Sequence, residues 1–263
     1  MKCAFAIGLV CWAIAARGED WQAKLTPPVL GAAPPMRLLH ATYRFGWSKF
    51  DAAAADFDYT RTKEGPLKLE VKTRTDGFVR KLWAMDATHT GLYDAETLRP
   101  LSSVQTEVYK KETLTTKLDF DAEGVARLRV SEPPDKNPPK TKRFDFPAVF
   151  ELYGALLFVR SQPLQKDETV RLVVYPATDP YLAEVKVVGR EKIEAGKTKY
   201  DAIKLDLKLR RITKKLELEK HAKFKRATAW LSDDRDRLLL KIQAEISVGS
   251  VWTELESVKF TNP

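Results

Sequence analysis

Cysteine is almost missing from this 263-residue chain: its two cysteines, Cys3 and Cys11, both fall in the first eleven residues. Past them no disulfide, thiolate nucleophile or cysteine metal ligand exists, so the fold must stand on its core alone. Histidine is scarce as well. His40, His89 and His221 are far apart and none has a second ligand at helical spacing, so the sequence offers no histidine metal site. No serine sits in a G-x-S-x-G elbow and no H-E-x-x-H occurs. Gly196-Lys197-Thr198 ends like a phosphate loop, but Glu191 stands where the first glycine is required. Its flanks alternate as strands, so it reads as a hairpin turn. No catalytic residue, cofactor-binding residue or metal ligand is assigned, and no ligand-binding residue is identified.

What is present begins at the N-terminus. Lys2 precedes the apolar stretch Ala4 to Ala16, and Ala16-Arg17-Gly18 places small residues where a signal peptidase reads. Residues 1–18 therefore read as a secretory signal peptide, with a cut after Ala15 as the alternative. The apolar core is too short to span a bilayer as a helix. Cys11 as a lipid-attachment site is disfavoured, because Val10 replaces the small residue expected before it. Removing Lys2 and Arg17 from 45 basic residues leaves 43 against 36 acidic ones, a charge of +7. An exported basic protein faces lipid head groups or acidic glycans, and nucleic acid is not expected as a partner. The charge is also spread along most strands, as on an ordinary solvated face.

Residues 19–37 carry Pro27, Pro28, Pro34 and Pro35 with little periodicity and read as an extended lead-in. From 38 to 260 the dominant signal is period-two alternation, which predicts a single β-rich domain. Leu39, Ala41, Tyr43, Phe45 and Trp47 share one strand face. Leu67 to Val71, Ile203 to Leu209 and Leu238 to Ile246 alternate likewise. Gly65-Pro66, Asp76-Gly77, Glu123-Gly124, Ala195-Gly196 and Gly249-Ser250 supply hairpin-length turns. The expected fold is mainly β: a large curved antiparallel meander, half-barrel or barrel-like, with one buried helix. Residues 131–142, rich in proline and lysine, are expected as a loop. The helix is expected over 148–160, from Pro147 to just before Pro163, and at about 20 Å it is too short to cross a bilayer.

Two polar stretches remain. Asp233, Asp234 and Asp236 crowd together between Trp230-Leu231 and Leu238, where three carboxylates suit either a turn or acid–base chemistry. The run lacks the glycine and terminal glutamate of a calcium loop. Residues 208–226 carry many lysines against Glu217 and Glu219, suiting a basic hairpin or a lysine-protected sheet edge.

Tyr43 and Trp47, then Leu157-Phe158-Val159-Arg160 with Pro163-Leu164, begin a longer pattern. It continues through Glu191-Lys192-Ile193 with Gly196, Trp230-Leu231-Ser232-Asp233-Asp234 with Arg237, and Gly249-Ser250-Val251 with Leu255. Over residues 39–258 the chain resembles the bacterial exported proteins grouped as the domain-of-unknown-function family numbered 3108. The resemblance implies an envelope protein with a curved antiparallel sheet and brings no catalytic residues. Leu239 stands where that pattern carries proline. The expected function is a non-catalytic module in the periplasm or cell envelope, with a lipid, glycolipid or other amphipathic anionic ligand as its partner. A structural or assembly factor binding another envelope protein through a sheet edge is the alternative, and a hydrolase using Asp233, Asp234 and Asp236 is a third. An outer-membrane barrel is disfavoured, since Phe260 is followed by Thr261-Asn262-Pro263 and charges crowd the region of Arg210 to Lys215.

Overall fold

The computed structural model describes residues 20–35, 37–61, 65–135, 138–220, 224–246 and 249–261. The expected signal segment, 1–18, and His221 lie outside the described residues. The first half of the chain forms β1 (Leu39–Trp47), β2 (Phe50–Arg61), β3 (Leu67–Thr75), α1 (Gly77–Leu82), β4 (Met85–Tyr93), β5 (Pro100–Tyr109), β6 (Thr113–Phe120), β7 (Gly124–Glu132) and β8 (Lys142–Asp145). The second half forms β9 (Val149–Phe150), α2 (Leu152–Ser161), β10 (Thr169–Val174), β11 (Tyr181–Ala195), β12 (Thr198–Ile212), β13 (Leu218–Lys220), β14 (Phe224–Ser232), β15 (Leu239–Ile246) and β16 (Ser250–Phe260).

Alternation in the sequence becomes one large curved sheet. β1 to β8 pair in chain order as an antiparallel meander. β1 also pairs with β16, Leu39 opposite Phe260, and the path continues through β15, β14, β12, β11 and β10 to the parallel β9. β13 pairs with β12 off this path. Register shifts at Thr42/Tyr43, Phe45/Gly46 and Val187/Gly189 add local bend and twist, which a sheet this wide needs to curl. The expected mainly β, curved meander with a buried helix is what forms.

The two ends of the path, β8 and β9, are consecutive in the chain, with only residues 146–148 between them. Side chains close the gap where the ladder does not. Phe144 stacks on Phe146 at 6.0 Å and on Tyr175 at 6.2 Å, and Trp21 stacks on Phe146 at 5.5 Å. Arg127 donates to the carbonyl of Ala177 at 2.7 Å. Trp21 is buried here, so the proline-rich lead-in is laid against the domain at its start instead of hanging free.

Three local expectations are corrected. The helix begins at Leu152, not at 148, because Val149 and Phe150 pair with Val173 and Val174 as a strand and Glu151 supplies the cap. Asp76-Gly77 does not make a simple hairpin turn: it opens α1, with Gly77 at positive φ (54°). The loop expected at 131–142 is shorter, since β7 runs on to Glu132 and β8 starts at Lys142.

Candidate functional site

The concave face divides into two halves of different chemistry. On the C-terminal side, α2 packs Phe158, Ala155 and Val159 against Val170, Leu172, Val185, Leu205 and Leu231. Phe150 stacks on Phe158 at 4.9 Å. Every one of these side chains is buried and apolar, and α2 fills the space a ligand would otherwise take.

The N-terminal side is mixed: Phe57, Leu67, Leu69, Val71 and Tyr93 are buried in a core cluster with Leu157 of α2, and a more polar strip lies beside them. Register places Val71, His89, Gln105, Thr116 and Arg129 in one row across five adjacent strands. The neighbouring row is Thr73, Ala87, Glu107, Leu114 and Ser131. Opposed residues in a sheet share a face, so both rows line the side that meets α2. His89 confirms the facing: its ring sits edge-on to Tyr153 of α2, with centroids 4.8 Å apart. His89 is only 8% exposed, and no hydrogen bond of ordinary geometry reaches Nδ1 or Nε2. Burial pushes its pKa down to about 4, against a weaker opposing contact with Gln105. The imidazole is therefore neutral at neutral pH, and neither ring nitrogen makes a well-formed hydrogen bond. Arg129, in the same row, is exposed, so the strip runs from a buried imidazole to solvent.

Polar groups anchor both ends of α2. At its start the buried Glu151 carboxylate accepts from the backbone N–H of Tyr153 at 2.9 Å, from Gly154 N–H, and from the Tyr93 hydroxyl at 2.6 Å. Burial raises the Glu151 pKa above the usual carboxylate value, while those three donors favour the ionised form and oppose the rise. At the other end Arg237 donates to the carbonyls of Arg160 (2.6 Å), Gln162 and Pro163 (3.2 Å). A cation on the last carbonyls complements the helix dipole as well as capping it.

Arg237 is aimed by the acidic cluster that the sequence singles out. Asp234 Oδ1 accepts from Ser232 Oγ (2.8 Å), Asp236 N (2.9 Å) and Arg237 N (3.0 Å), which winds the turn. Asp233 takes Arg190 at 2.7 Å, and Asp236 takes Arg37 at 2.9 Å, whose guanidinium lies 3.5 Å from the Phe260 ring centre. Asp233 and Asp236 thus face different arginines while Asp234 turns inward on the backbone; among the described residues the cluster has no histidine among its hydrogen-bond and ion-pair partners. His40 is half-exposed and meets Asp58 at 2.7 Å. Gly196 sits in a two-residue hairpin at positive φ (59°), as its flanks require. In the basic stretch, Arg210 pairs with Glu184 and Arg211 with Glu219, while Lys214 and Lys215 are exposed in the turn after β12.

Sequence reasoning missed the role of Arg237, although the motif that holds it was visible, because no local signal says which helix end a turn will reach. It also missed the polar rows. Gln105, Thr116 and Arg129 meet His89 only through cross-strand register. Two open, polar-lined cavities lie elsewhere: about 310 Å³ beside Lys241, Gln243 and Trp252, and about 360 Å³ beside Arg190, Lys192 and Asp201. Among the described residues, no group of three or more His, Cys, Asp or Glu is placed to hold a metal ion, and no helix is long and apolar enough to cross a membrane.

The fold is similar to that of a β-barrel-like protein of domain of unknown function DUF1849 from Brucella abortus. The TM-score is 0.58 at 10% identity, over 88% of this chain and all of that one. Two weaker likenesses cover the same 88% of this chain and 99% of each neighbour. One is a provisionally named lipoprotein from Parabacteroides distasonis (TM-score 0.35, 8% identity). The other is a provisionally named exported protein with a YmcC-like fold from Bacteroides fragilis (TM-score 0.33, 9% identity). No curated protein matches the sequence. The model of the family described as protein of unknown function, DUF3108, matches residues 42–256, most of the curved sheet and all of α2, and the chain belongs to that family.

Proposed function

We propose that the protein is an exported cell-envelope module that binds an amphipathic anionic ligand, a lipid or glycolipid, and performs no chemistry on it. The carrying observation is His89: a buried imidazole whose nitrogens make no well-formed hydrogen bond, opposite Gln105 in a polar row that ends at the exposed Arg129. Buried polar groups are otherwise hydrogen-bonded, so an imidazole left open on a concave face marks a place for a ligand oxygen or an ordered water. Arg129 supplies a fixed positive charge for a head group at the solvent end of the strip. The apolar half offers no competing place, because α2 occupies it. Addition of a partner strand has little to work with: β8 has four residues, β9 two, and the chain folds them toward one another.

The test is native mass spectrometry of the protein purified from its own envelope, with parallel lipid extraction. A reproducible bound lipid or glycolipid, lost in His89→Leu with the fold retained, is the expected result. A clean apo mass, while a control carrier handled identically keeps its lipid, sinks the reading.

A further inference from the structure

Five large apolar side chains stand exposed at one rim of the sheet. Trp47 (44% exposed) and Phe50 (59%) face each other across the β1–β2 turn, and Phe78 (64%), Leu82 (73%) and Trp83 (53%) come from α1 and its C-cap. α1 is fixed beside that turn. Asp76, before it, donates its N–H to Ala52 O at 3.0 Å, and Arg44 of β1 reaches both Asp51 and Asp76. Trp83 stacks on Tyr109 at 6.0 Å, which carries the rim on to the β5–β6 turn and the exposed Val108.

The charges around these side chains are not balanced. Asp51 and Asp76 are taken by Arg44, and Asp86 by Arg80 and Arg74. Lys49, Lys81, Lys110 and Lys111 are exposed and take part in none of the ion pairs of the described residues, and the exposed acids left near them are Glu112 and Glu245, so the lysines remain in excess. Protruding Trp, Phe and Leu ringed by lysines match the composition of a membrane interface. There, aromatic rings sit at head-group depth, apolar tips reach the acyl boundary and ammonium groups meet phosphate. A hairpin tip and a helix of six residues carry these exposed side chains, which suits insertion into a soft head-group layer.

We propose that this rim, formed by the β1–β2 turn, α1 and the β5–β6 turn, docks the protein on the surface of an anionic lipid bilayer. The inference stands apart from the ligand strip at His89: the rim holds the protein against the membrane whether or not a lipid enters the concave face.

The experiment is co-sedimentation of the mature protein with phosphatidylcholine–phosphatidylglycerol vesicles and with pure phosphatidylcholine vesicles, alongside F78S/L82S and K49E/K81E. Wild type is expected to bind the mixed vesicles about tenfold or more tightly than the neutral ones, and to weaken as salt is raised. F78S/L82S should lose about tenfold or more on the mixed vesicles, and K49E/K81E should lose the preference for the anionic lipid. Both variants change exposed side chains, and an unchanged urea midpoint checks that they fold. Absence of wild-type binding to the mixed vesicles, or binding by F78S/L82S equal to wild type, overturns the proposal. So does a concentration-dependent dimer of wild type that F78S/L82S abolishes, which assigns the rim to a second copy of the chain. Lipid retained by F78S/L82S in native mass spectrometry, with vesicle binding lost, separates this rim from the concave strip.

Discussion

The two halves of the concave face share one alternating pattern and put it to different use. Beside β10, β11, β12 and β14 the inward residues are Val, Leu, Ile and Ala, and α2 closes over them to exclude water. Beside β4, β5, β6 and β7 the inward residues include His89, Gln105, Thr116 and Arg129, and one of them reaches solvent. A strand needs apolar residues on its inner face only where something dry covers it. The difference leaves the helix-filled half dry throughout, while the other half adds a polar strip to the core cluster of Leu67, Leu69, Val71 and Tyr93.

Substitutions sharpen that division. Phe158→Ala, in the filled half, should cost about 4 kcal/mol in urea unfolding, since it removes a fully buried ring stacked on Phe150. In the polar half pH is the probe. The folded-state pKa of His89, about 4, lies below its unfolded value of 6.5, so the unfolded chain takes up the proton first as pH falls. Stability should therefore drop between pH 6.5 and pH 4, by up to roughly 3 kcal/mol, and His89→Leu should remove that part of the slope. Arg237→Ala strips three carbonyls of their cation and should cost about 2 kcal/mol. Arg237→Lys should recover only part, because an ammonium lacks the planar fork. Tyr93→Phe removes one donor to the Glu151 carboxylate and should cost about 1 kcal/mol. Thr116→Val should cost less than about 1 kcal/mol, the smallest effect, since shape is kept at a residue outside the buried apolar clusters. A Thr116→Val cost equal to that of Phe158→Ala would break the division.

Much of this was legible beforehand because strand periodicity is a local property. Leu39, Ala41 and Tyr43 alternate in the sequence and are buried in the structure. The turn at Ser232 to Asp236 was legible for the same reason: short polar residues between apolar runs bend a chain. α1 was not, since six residues carry too short a pattern to separate from a hairpin turn. The start of α2 was misplaced because Val149 and Phe150 suit a helix or a strand, and pairing with Val173 and Val174, two dozen residues away, decided the matter.

The sequence by itself determined the class: period-two alternation, frequent turns and one apolar helix leave little but a curled antiparallel meander over a plug. Only the tertiary structure decided what that meander presents. It brought the sheet's two ends together at residues 146–148, turned Arg237 onto the end of α2, and set His89 in a row with Arg129. It also gathered Trp47, Phe50, Phe78, Leu82 and Trp83 on one rim. The physical reason is range. Propensity and periodicity act over a few neighbouring residues, whereas register, closure and surface clustering depend on which distant strands pair.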